Sequence, residues 1–599
     1  MNLTPEQRDI GKQNFYEALG TTRRDFLKGS ALSAALAGTG LGAAYFGYGA
    51  KVDRPLRVGI IGTGDEGNVL IGALNPAYVE VVAIADIRPY NIHRAFHGHQ
   101  AALAPRPGLM KIYGWSSEDE ARKQVKVYTG DYNELIDDPA VEGVIVALPL
   151  WLHDVAAIAA MRKGKHVLTE KLMGQTVGRC KEMARVAKDS TDADGNPIHL
   201  ATGHQRHYSI LYDNAVDQIK RGLIGEIHHI RAQWHRGNLP GADSWRPAMP
   251  TKELPKREID LALKAAREQD GGKDGAAVAA VKEEYKILLD LFNREGRIAA
   301  TTNPSEREKL EAELAEFRAQ LEDFRVDAAK YGYVSKQIAG GDYTYSPLEE
   351  LIRWRLFDRT GAGLMAELGS HQLDASGIFV SSQRDDGEKV HPLAVQGIGV
   401  RSLFPADREV DDHVHCSFEY PMRGYYEDFK TQKLANPNRR LVVSYSSLNG
   451  NGFGNYGEVV LGTAGTLIVE SEKDVMLFQS GNASVKIAVK EGPGGKAAMT
   501  SYETGGGQAA AIAQAATPKD VSRGYREEIE HWAWCIRNPA PEHQVKCTPK
   551  VAMADAVIAL VSNMAMKQNQ RIEFKKEWFE IESDETPEGV APRSLDSLA

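Results

Sequence analysis

The fold of this chain is decided by Leu56-Arg57-Val58-Gly59-Ile60-Ile61-Gly62-Thr63-Gly64-Asp65-Glu66-Gly67, an apolar run that leads directly into a glycine-rich turn. The run 56–61 suits a buried parallel strand. Gly62 permits the tight turn, Gly64 lets a pyrophosphate approach the backbone, and Gly67 lets the following helix pack closely on the strand. A helix that begins here directs its free N–H groups at the phosphates. The stretch therefore predicts a dinucleotide site.

A second apolar run, 79–85, ends in an acid about 20 residues beyond the last glycine, as this type of site requires. The carboxylate of that acid, Asp86, can accept hydrogen bonds from both ribose hydroxyls and should repel a 2′-phosphate. Arg88 lies close by and could attract such a phosphate. We therefore expect NAD as the cofactor, with NADP as the less favoured alternative. The predicted binding residues in this part are Gly62, Thr63, Gly64, Asp65, Glu66, Gly67, Asp86 and Arg88.

Strand-like and helix-like segments continue to alternate along the chain. Apolar runs at 125–128, 144–148 and 165–168 look like strands, and 154–163 looks like a helix. This alternation predicts an α/β domain with a doubly wound, Rossmann-type parallel sheet over 54–172. Ligands of such sheets bind beyond the carboxyl ends of the strands.

Residues beyond two of these strands carry a family resemblance. Pro149 and His153 follow the fourth strand, and Gly164-Lys165-His166-Val167-Leu168-Thr169-Glu170-Lys171 contains the fifth. This arrangement resembles the Gfo/Idh/MocA oxidoreductase family, in which a proline usually stands where this chain has Leu172. The resemblance covers most of 54–575. It implies that Pro149, His153, Glu170 and Lys171 border the cofactor.

A second run, Gly361-Ala362-Gly363-Leu364-Met365-Ala366-Glu367-Leu368-Gly369-Ser370-His371-Gln372-Leu373-Asp374, is similar to the acid–histidine motif of the same family. On a helix, Glu367, His371 and Asp374 would share one face. The spacing alone is also typical of a solvated face with a routine salt bridge. The resemblance implies that His371 is the base and that Lys171 stabilises developing charge. Glu367 would then orient the histidine, and Asp374 would bind substrate hydroxyls or support the site.

The resemblance implies hydride transfer between a sugar or polyol carbinol and a nicotinamide ring. A second interpretation is a redox-neutral, NAD-dependent glycoside hydrolase, which oxidises a glycoside, eliminates the aglycone, adds water and reduces the product again. A third is a non-catalytic sugar-binding protein that keeps the nucleotide fold as a scaffold. The ligand expected in each case is a sugar, polyol or glycoside, and the sequence does not choose between them.

The first 50 residues resemble a twin-arginine export signal. Arg23 and Arg24 precede Phe26-Leu27 and a weakly apolar run from Gly29 to Ala50. The alternative is a surface arginine pair before a core helix. Because twin-arginine export moves proteins already folded, we expect a periplasmic protein that keeps its cofactor tightly bound. Retention of the signal as a membrane anchor stays open.

The rest of the chain predicts a second, α+β domain over 173–575, built from 203–250 and 345–575. Strand-like runs between 391 and 490 predict a large mixed or antiparallel sheet. A charged segment, 252–335, predicts an inserted helical hairpin, with Ser305 and Glu308 as a capping box. The sequence leaves three interpretations of this insertion open: a lid, an oligomer contact or a passive addition. Residues 576–599 are predicted to be a tail, and the family resemblance implies a homo-oligomer.

Further candidates for the substrate pocket follow strand-like segments of this second domain. They are His207, Tyr208, Trp234, His235 and Arg236. Each of them could equally be a packed aromatic side chain or a histidine with internal partners.

Composition excludes several other classes of protein. There are 72 basic and 81 acidic residues, so the formal charge of −9 argues against a nucleic-acid partner. The four cysteines form no Cys-x-x-Cys pair, His228 and His229 would point to opposite faces of a strand, and His413 and His415 lack a third ligand nearby, so no metal site is expected. Cys535 and Cys547 could be bridged in an oxidising compartment, and free buried thiols are the alternative.

Overall fold

A computed structural model describes residues 3–18, 41–49, 51–100, 106–240, 243, 250, 252–384, 386–479, 487–491, 497–501 and 523–598. In the described part of the N-terminal region, two helices precede the first sheet: α1 (Pro5–Ala18) and α2 (Leu41–Phe46).

A six-stranded parallel sheet forms the first large unit. Its strands are β1 (Leu56–Ile61), β2 (Val79–Ala85), β3 (Lys126–Tyr128), β4 (Gly143–Val146), β5 (His166–Thr169) and β6 (Leu200–Thr202). They lie in the order β3-β2-β1-β4-β5-β6, and all neighbours are parallel. The order changes direction between β1 and β4, which is where such sheets bind ligands. The prediction of a Rossmann-type sheet is confirmed.

The connections of this sheet are helical. They are α3 (Asp65–Ala73), α4 (Pro89–His97), α5 (Leu109–Tyr113), α6 (Glu118–Gln124), α7 (Asn133–Ile136), α8 (His153–Arg162) and α9 (Val177–Asp189). Helix α10 (Ile210–Lys220) and strand β7 (Ile227–His235) then lead into the second domain.

Residues 252–335, all of them described, contain more than the predicted hairpin. They form four α-helices, which are α11 (Lys256–Gln269), α12 (Ala276–Glu284), α13 (Lys286–Ala300) and α14 (Pro304–Glu322). The capping box predicted at Ser305 is wrong, because Asn303 caps α14. Its side chain accepts hydrogen bonds from the backbone N–H groups of Ser305 and Glu306, and Pro304 occupies the first helical turn. Two 3-10 turns, Asp323–Arg325 and Ala328–Tyr331, end the insertion.

Short elements connect the insertion to the second sheet. They are β8 (Lys336–Gln337), β9 (Thr344–Tyr345), α15 (Pro347–Ile352), a 3-10 turn Trp354–Leu356, α16 (Asp358–Gly361), a π-helical turn Met365–Gly369 and α17 (Ser370–Ser381). The π turn runs without interruption into α17.

The remaining strands are β10 (Ala394–Val400), β11 (His413–Pro421), β12 (Arg440–Leu448), β13 (Tyr456–Gly462), β14 (Gly465–Glu470), β15 (Asp474–Gln479), β16 (Ile487–Glu491) and β17 (Ala497–Ser501). Helices α18 (Tyr525–Arg537) and α19 (Pro549–Gln568) and strand β18 (Ile572–Glu573) follow. The second sheet has the order β15-β14-β13-β7-β12-β11-β10-β18. It is mixed, as predicted, because β7 is parallel to β12 and antiparallel to β13.

One continuous apolar core joins the two sheets. It extends from Val144 and Val167 in the first sheet to Val443 and Leu467 in the second. Helix α19 passes through this core. It is long and apolar enough to cross a membrane, but 67% of its most apolar window is buried inside the protein, as in a core helix. All four cysteines are buried and free, so Cys535 and Cys547 are not bridged.

Two predicted domain boundaries differ from the structure. The first domain extends past residue 172, because β6 is the sixth strand of its sheet. The predicted tail is packed on α9, where Lys181 Nζ donates to the backbone carbonyl oxygens of Glu577, Ser583 and Glu585. A lysine that satisfies three carbonyl groups fixes this segment in a way that polar composition does not reveal.

Helix α1 is part of the folded body. The Phe15 side chain is 1% exposed in the main core, and the Phe15 carbonyl oxygen accepts a hydrogen bond from Gln218 Nε2 at 3.0 Å. Lys12 pairs with Asp474 of β15 at 2.8 Å. Of the predicted export signal, 1–50, the part with Arg23 and Arg24 lies in 19–40, outside the described residues, whereas 3–18 and 41–49 are described.

We expect Phe15→Ala to lower the free energy of unfolding by about 3–5 kcal/mol, because it removes a fully buried aromatic ring. Ile10→Ala is the matched control on the same helix, since Ile10 is 40% exposed and its truncation should change stability by about 0.5 kcal/mol at most. Chemical unfolding of the full chain measures both. A loss of stability in Phe15→Ala as small as that in Ile10→Ala would show that Phe15 contributes nothing to the core.

Candidate active site

A cavity of about 950 Å³ lies at the carboxyl edge of the first sheet and extends to the second domain. Its walls come from the glycine turn after β1, the loops after β4 and β5, the end of β7, the insertion and the π turn. The cavity therefore lies at the place that the strand order predicts.

The glycine turn has room for a dinucleotide but not for side chains. Gly62 has a φ of +87°, and a Cβ there would lie 2.5 Å from the carbonyl oxygen of Ala147. A Cβ on Gly67 would lie 2.2 Å from the carbonyl oxygen of Gly62. Gly64 precedes α3, whose first backbone N–H groups have no partner inside the helix. This bare turn at a helix start suits the pyrophosphate of a dinucleotide.

Asp86 ties the turn to the end of β2. Its Oδ2 accepts a hydrogen bond from the backbone N–H of Thr63 at 2.8 Å, and its Oδ1 accepts one from the backbone N–H of Arg88 at 2.9 Å. The side-chain amide of Asn91 donates to both oxygens. The carboxylate is thus held at the cavity wall, where a ribose would lie. Thr63 itself is buried beneath the turn.

The loops after β4 and β5 are joined by His153. Its Nδ1 lies 2.7 Å from the carbonyl oxygen of Leu172, and its Nε2 lies 2.7 Å from that of Leu148. Pro149, Glu170 and Lys171 all line the cavity, and the peptide bond between Lys171 and Leu172 is cis. His153 therefore holds the two loops together while its edge lines the cavity.

Lys171 connects the two domains. Its Nζ donates to the carbonyl oxygens of Ala366, at 3.1 Å, and of Glu367, both in the π turn. Burial lowers the pKa of the Lys171 ammonium group. Beside it, burial and then the charge of Glu66 raise the pKa of Glu170 to about 8.

His371 lies in the same cavity at the start of α17. The side chain is 9% exposed, and its ring lies 5.8 Å from the ring of Trp234. Burial, and then the nearby Lys171 charge, hold the pKa of His371 well below its usual range. The imidazole is therefore uncharged at pH 7.

Glu367 lines the cavity but does not have the predicted partner. Its carboxylate accepts hydrogen bonds from Arg355 Nε at 3.1 and 3.2 Å, and among the described residues no hydrogen bond joins it to His371. The reason is local: Glu367 lies in the π turn and His371 in the α-helix, so the regular i, i+4 geometry assumed from the sequence does not apply.

Asp374 lies behind the cavity rather than in its wall. It is 1% exposed, and its Oδ1 lies 2.9 Å from His207 Nε2 and 3.2 Å from Lys389 Nζ. Asp374 therefore cannot make the predicted contact with substrate hydroxyls. Its position fits the other predicted role, which is to support the site. Lys389 also lies 2.5 Å from Asp555 Oδ1. His204, Asp374 and Asp555 could present three ligand atoms to a metal ion, but the Lys389 ammonium group already contacts both carboxyl groups.

The five candidates for the substrate pocket divide according to strand alternation. Trp234 and Arg236 line the cavity, whereas His235 points to the other face and contacts Ser446 and Phe453. His207 is bonded to Asp374, and the buried Tyr208 hydroxyl accepts a hydrogen bond from the backbone N–H of Lys546. These last two side chains belong to the packing behind the site.

Several cavity residues were missed from the sequence. They are Arg355, Arg523, Tyr525, Lys330, Tyr331 and Tyr333. They come from connecting segments and from the start of α18, which carry no periodic or glycine-rich signal. Only the chain path brings them to the site.

Residues 56–193 match the family model described as "Oxidoreductase family, NAD-binding Rossmann fold", the Gfo/Idh/MocA model. The matched part of the chain has the parallel, Rossmann-type sheet that the description of this model names. The match ends before β6 and leaves the whole second domain uncovered.

Two curated proteins and one solved structure illustrate the likeness. A glycosyl hydrolase family 109 protein of Stenotrophomonas maltophilia is 31% identical over 184 residues, which are 30% of this chain and 36% of that protein. Inositol 2-dehydrogenase 1 of Saccharopolyspora erythraea is 29% identical over 213 residues, 34% of this chain and 53% of that protein. The chain therefore spans between about a third and a half of these relatives. A levoglucosan dehydrogenase structure in complex with NADH is 15% identical, with a TM-score of 0.46 over 87% of this chain and 99% of the other.

We expect Gly67→Ala to weaken NADH binding by the Rossmann domain at least about ten-fold, because the added methyl group must push the turn away from its position. Gly72→Ala is the control within the same helix, since its Cβ would meet only Pro107 at an ordinary 3.5 Å. Fluorescence titration of the purified proteins with NADH measures both affinities. An unchanged affinity in Gly67→Ala would mean that the turn does not hold the pyrophosphate.

Proposed function

We propose that this protein is an NAD-dependent oxidoreductase that acts on a hydroxyl group of a sugar or polyol. The observation that carries the proposal is the meeting of Lys171 and His371, from two different domains, in one cavity with the dinucleotide turn. The name of the relative inositol 2-dehydrogenase 1 supports a polyol as substrate.

Bound NAD would supply the acceptor for a hydride from the carbinol carbon, and the protein must handle the hydroxyl proton. His371 would accept that proton, because burial keeps its ring neutral. Lys171 would donate a hydrogen bond to the same oxygen and stabilise its developing negative charge. The carbonyl groups of Ala366 and Glu367 would keep the ammonium group in place, while Arg355 neutralises the nearby Glu367 carboxylate.

A second candidate function is redox-neutral glycoside hydrolysis, and the family 109 relative favours it. In that reaction the same two residues would serve a transient oxidation that allows elimination of the aglycone, addition of water and final reduction. The hydrolase regenerates the cofactor within each cycle, because it returns the hydride to its own product. The oxidoreductase does so when a second sugar serves as the hydride acceptor. A non-catalytic sugar-binding protein would carry out neither the oxidation nor the hydrolysis.

We further propose export through the twin-arginine machinery to the periplasm, with the cofactor retained. The support is Arg23-Arg24 followed by a weakly apolar run. Outside the cytoplasm little free NAD is available for exchange. A cofactor that stays bound and is regenerated in place would meet that constraint.

The purified protein should contain NAD or NADH, and a panel of chromogenic glycosides with and without acceptor sugars should identify its reaction. Release of chromophore without an acceptor supports hydrolysis, whereas oxidation that needs an acceptor sugar supports the oxidoreductase. Absence of both reactions in protein loaded with NAD would support simple sugar binding.

With the substrate thus found, we expect Lys171→Ala and His371→Ala to lower turnover at least about 100-fold, the usual contribution of a positioned acid or base. NADH affinity should change much less, because the pyrophosphate turn is untouched. His235→Ala is the control, since its ring points to the other face of β7 and contacts Ser446 and Phe453. Steady-state kinetics and NADH titration measure these effects. Normal turnover in both test variants would remove the two residues from the mechanism.

We expect the double substitution Arg23→Lys with Arg24→Lys to keep the folded protein in the cytoplasm of a bacterium with a twin-arginine pathway. The paired guanidinium groups are the part of the signal that is changed, while the charge is kept. Fractionation with an immunoblot measures the distribution. Equal periplasmic amounts of the natural and the double-substituted protein would contradict this export route.

A further inference from the structure

The insertion contacts the nucleotide-binding domain beside the position expected for the adenosine ribose. Asp323, in the 3-10 turn after α14, is 1% exposed. Its Oδ2 accepts hydrogen bonds from Arg88, from Nε at 2.9 Å and from Nη2 at 2.8 Å. Its Oδ1 accepts one from the backbone N–H of Tyr90 at 3.1 Å. A residue 235 positions away in sequence thus holds the arginine that follows the ribose-binding acid.

A second buried carboxylate strengthens this docking. Glu316 of α14 is also 1% exposed. It accepts hydrogen bonds from the backbone N–H of Gln100 at 2.8 Å and from the Tyr90 hydroxyl at 3.2 Å, and it lies 3.3 Å from His99 Nε2. Buried carboxylates require such partners. The insertion is therefore fixed against α4 rather than loosely attached.

The position of Arg88 gives this contact a consequence for cofactor choice. An arginine near the acid at the end of β2 can accommodate the 2′-phosphate of NADP. Here two of its nitrogen atoms already face one carboxylate, an arrangement that favours a strong, charge-assisted pair. Asp86 and Asp323 also place two negative charges around the arginine, and both would repel a phosphate.

We propose that Asp323 of the insertion makes the site specific for NAD by withholding the Arg88 guanidinium from a 2′-phosphate. The insertion is then a specificity element of the nucleotide site. This inference rests on the nucleotide-binding part of the proposed function and is independent of the sugar and of the reaction.

Nucleotide binding tests the idea directly. The full-length protein, freed of bound nucleotide, is titrated with NADH and with NADPH. We expect the natural protein to bind NADH at least about ten-fold more tightly. Asp323→Asn should shift the ratio of the two affinities toward NADPH by about ten-fold or more, the value of hydrogen bonds between charged groups. The amide keeps the shape of the side chain and an acceptor for the N–H of Tyr90.

Two variants separate this role from a purely structural one. Glu316→Gln changes the neighbouring contact of the same insertion without touching Arg88, so the ratio should not move. Arg88→Met combined with Asp323→Asn should lose the gain for NADPH, because the gain requires the guanidinium group. Thermal unfolding confirms that each variant is folded.

Two results would overturn the proposal. One is equal affinity of the natural protein for NADH and NADPH, which needs no variant at all. The other is a folded Asp323→Asn protein whose affinity ratio is unchanged, or whose gain for NADPH persists without Arg88. A protein that binds NADH selectively but converts no sugar would instead contradict the proposed function and leave the role of Asp323 intact.

Discussion

The approach of Gly67 to the carbonyl oxygen of Gly62 is the contact on which the rest of the nucleotide site depends. A methyl group at Gly67 would lie 2.2 Å from that oxygen, so α3 can begin this close to β1 only without a side chain there. The close start exposes the backbone N–H groups of the turn to the cavity. It also brings Thr63 within reach of Asp86, which connects the turn to β2. A steric constraint at one residue thus fixes both the phosphate end and the ribose end of the site.

The chemistry depends on a second constraint, which joins the two domains. Lys171 leaves the end of β5, yet its ammonium group is held by carbonyl groups of the π turn before α17. Because that turn passes directly into the helix that carries His371, the lysine and the histidine are positioned by the same backbone. Burial lowers the pKa of both groups, since each charged form loses solvation in the cavity. The imidazole is therefore uncharged at neutral pH, and the Lys171 ammonium group loses its proton more readily than an exposed lysine does.

The insertion shows how added chain can alter an existing site. Its helices pack on one another through an apolar cluster that includes Ile259, Leu288 and Phe317. Its contact with the nucleotide domain, in contrast, is made by two buried carboxylates, Glu316 and Asp323. Charged groups that are buried and paired impose a definite geometry, whereas apolar contacts tolerate sliding. The insertion, whose role the sequence left open, is therefore held against one particular arginine, Arg88.

Local patterns in the sequence determined the first domain almost completely. The strands at 56–61 and 79–85 follow from their apolar runs, and the tight turn follows from its glycines, because each of these signals lies within a few neighbouring residues. The family resemblance implied Lys171 and His371 as site residues, and their place after a strand-like run indicated Trp234 and Arg236. All four line the cavity. Only the tertiary structure decided the rest. The π turn gave Glu367 an arginine partner, Asp374 was buried behind the site, the presumed tail was held by Lys181, and Asp323 reached Arg88. Each of these depends on a pair of residues distant in sequence, and pairing between distant charges leaves no periodic trace along the chain.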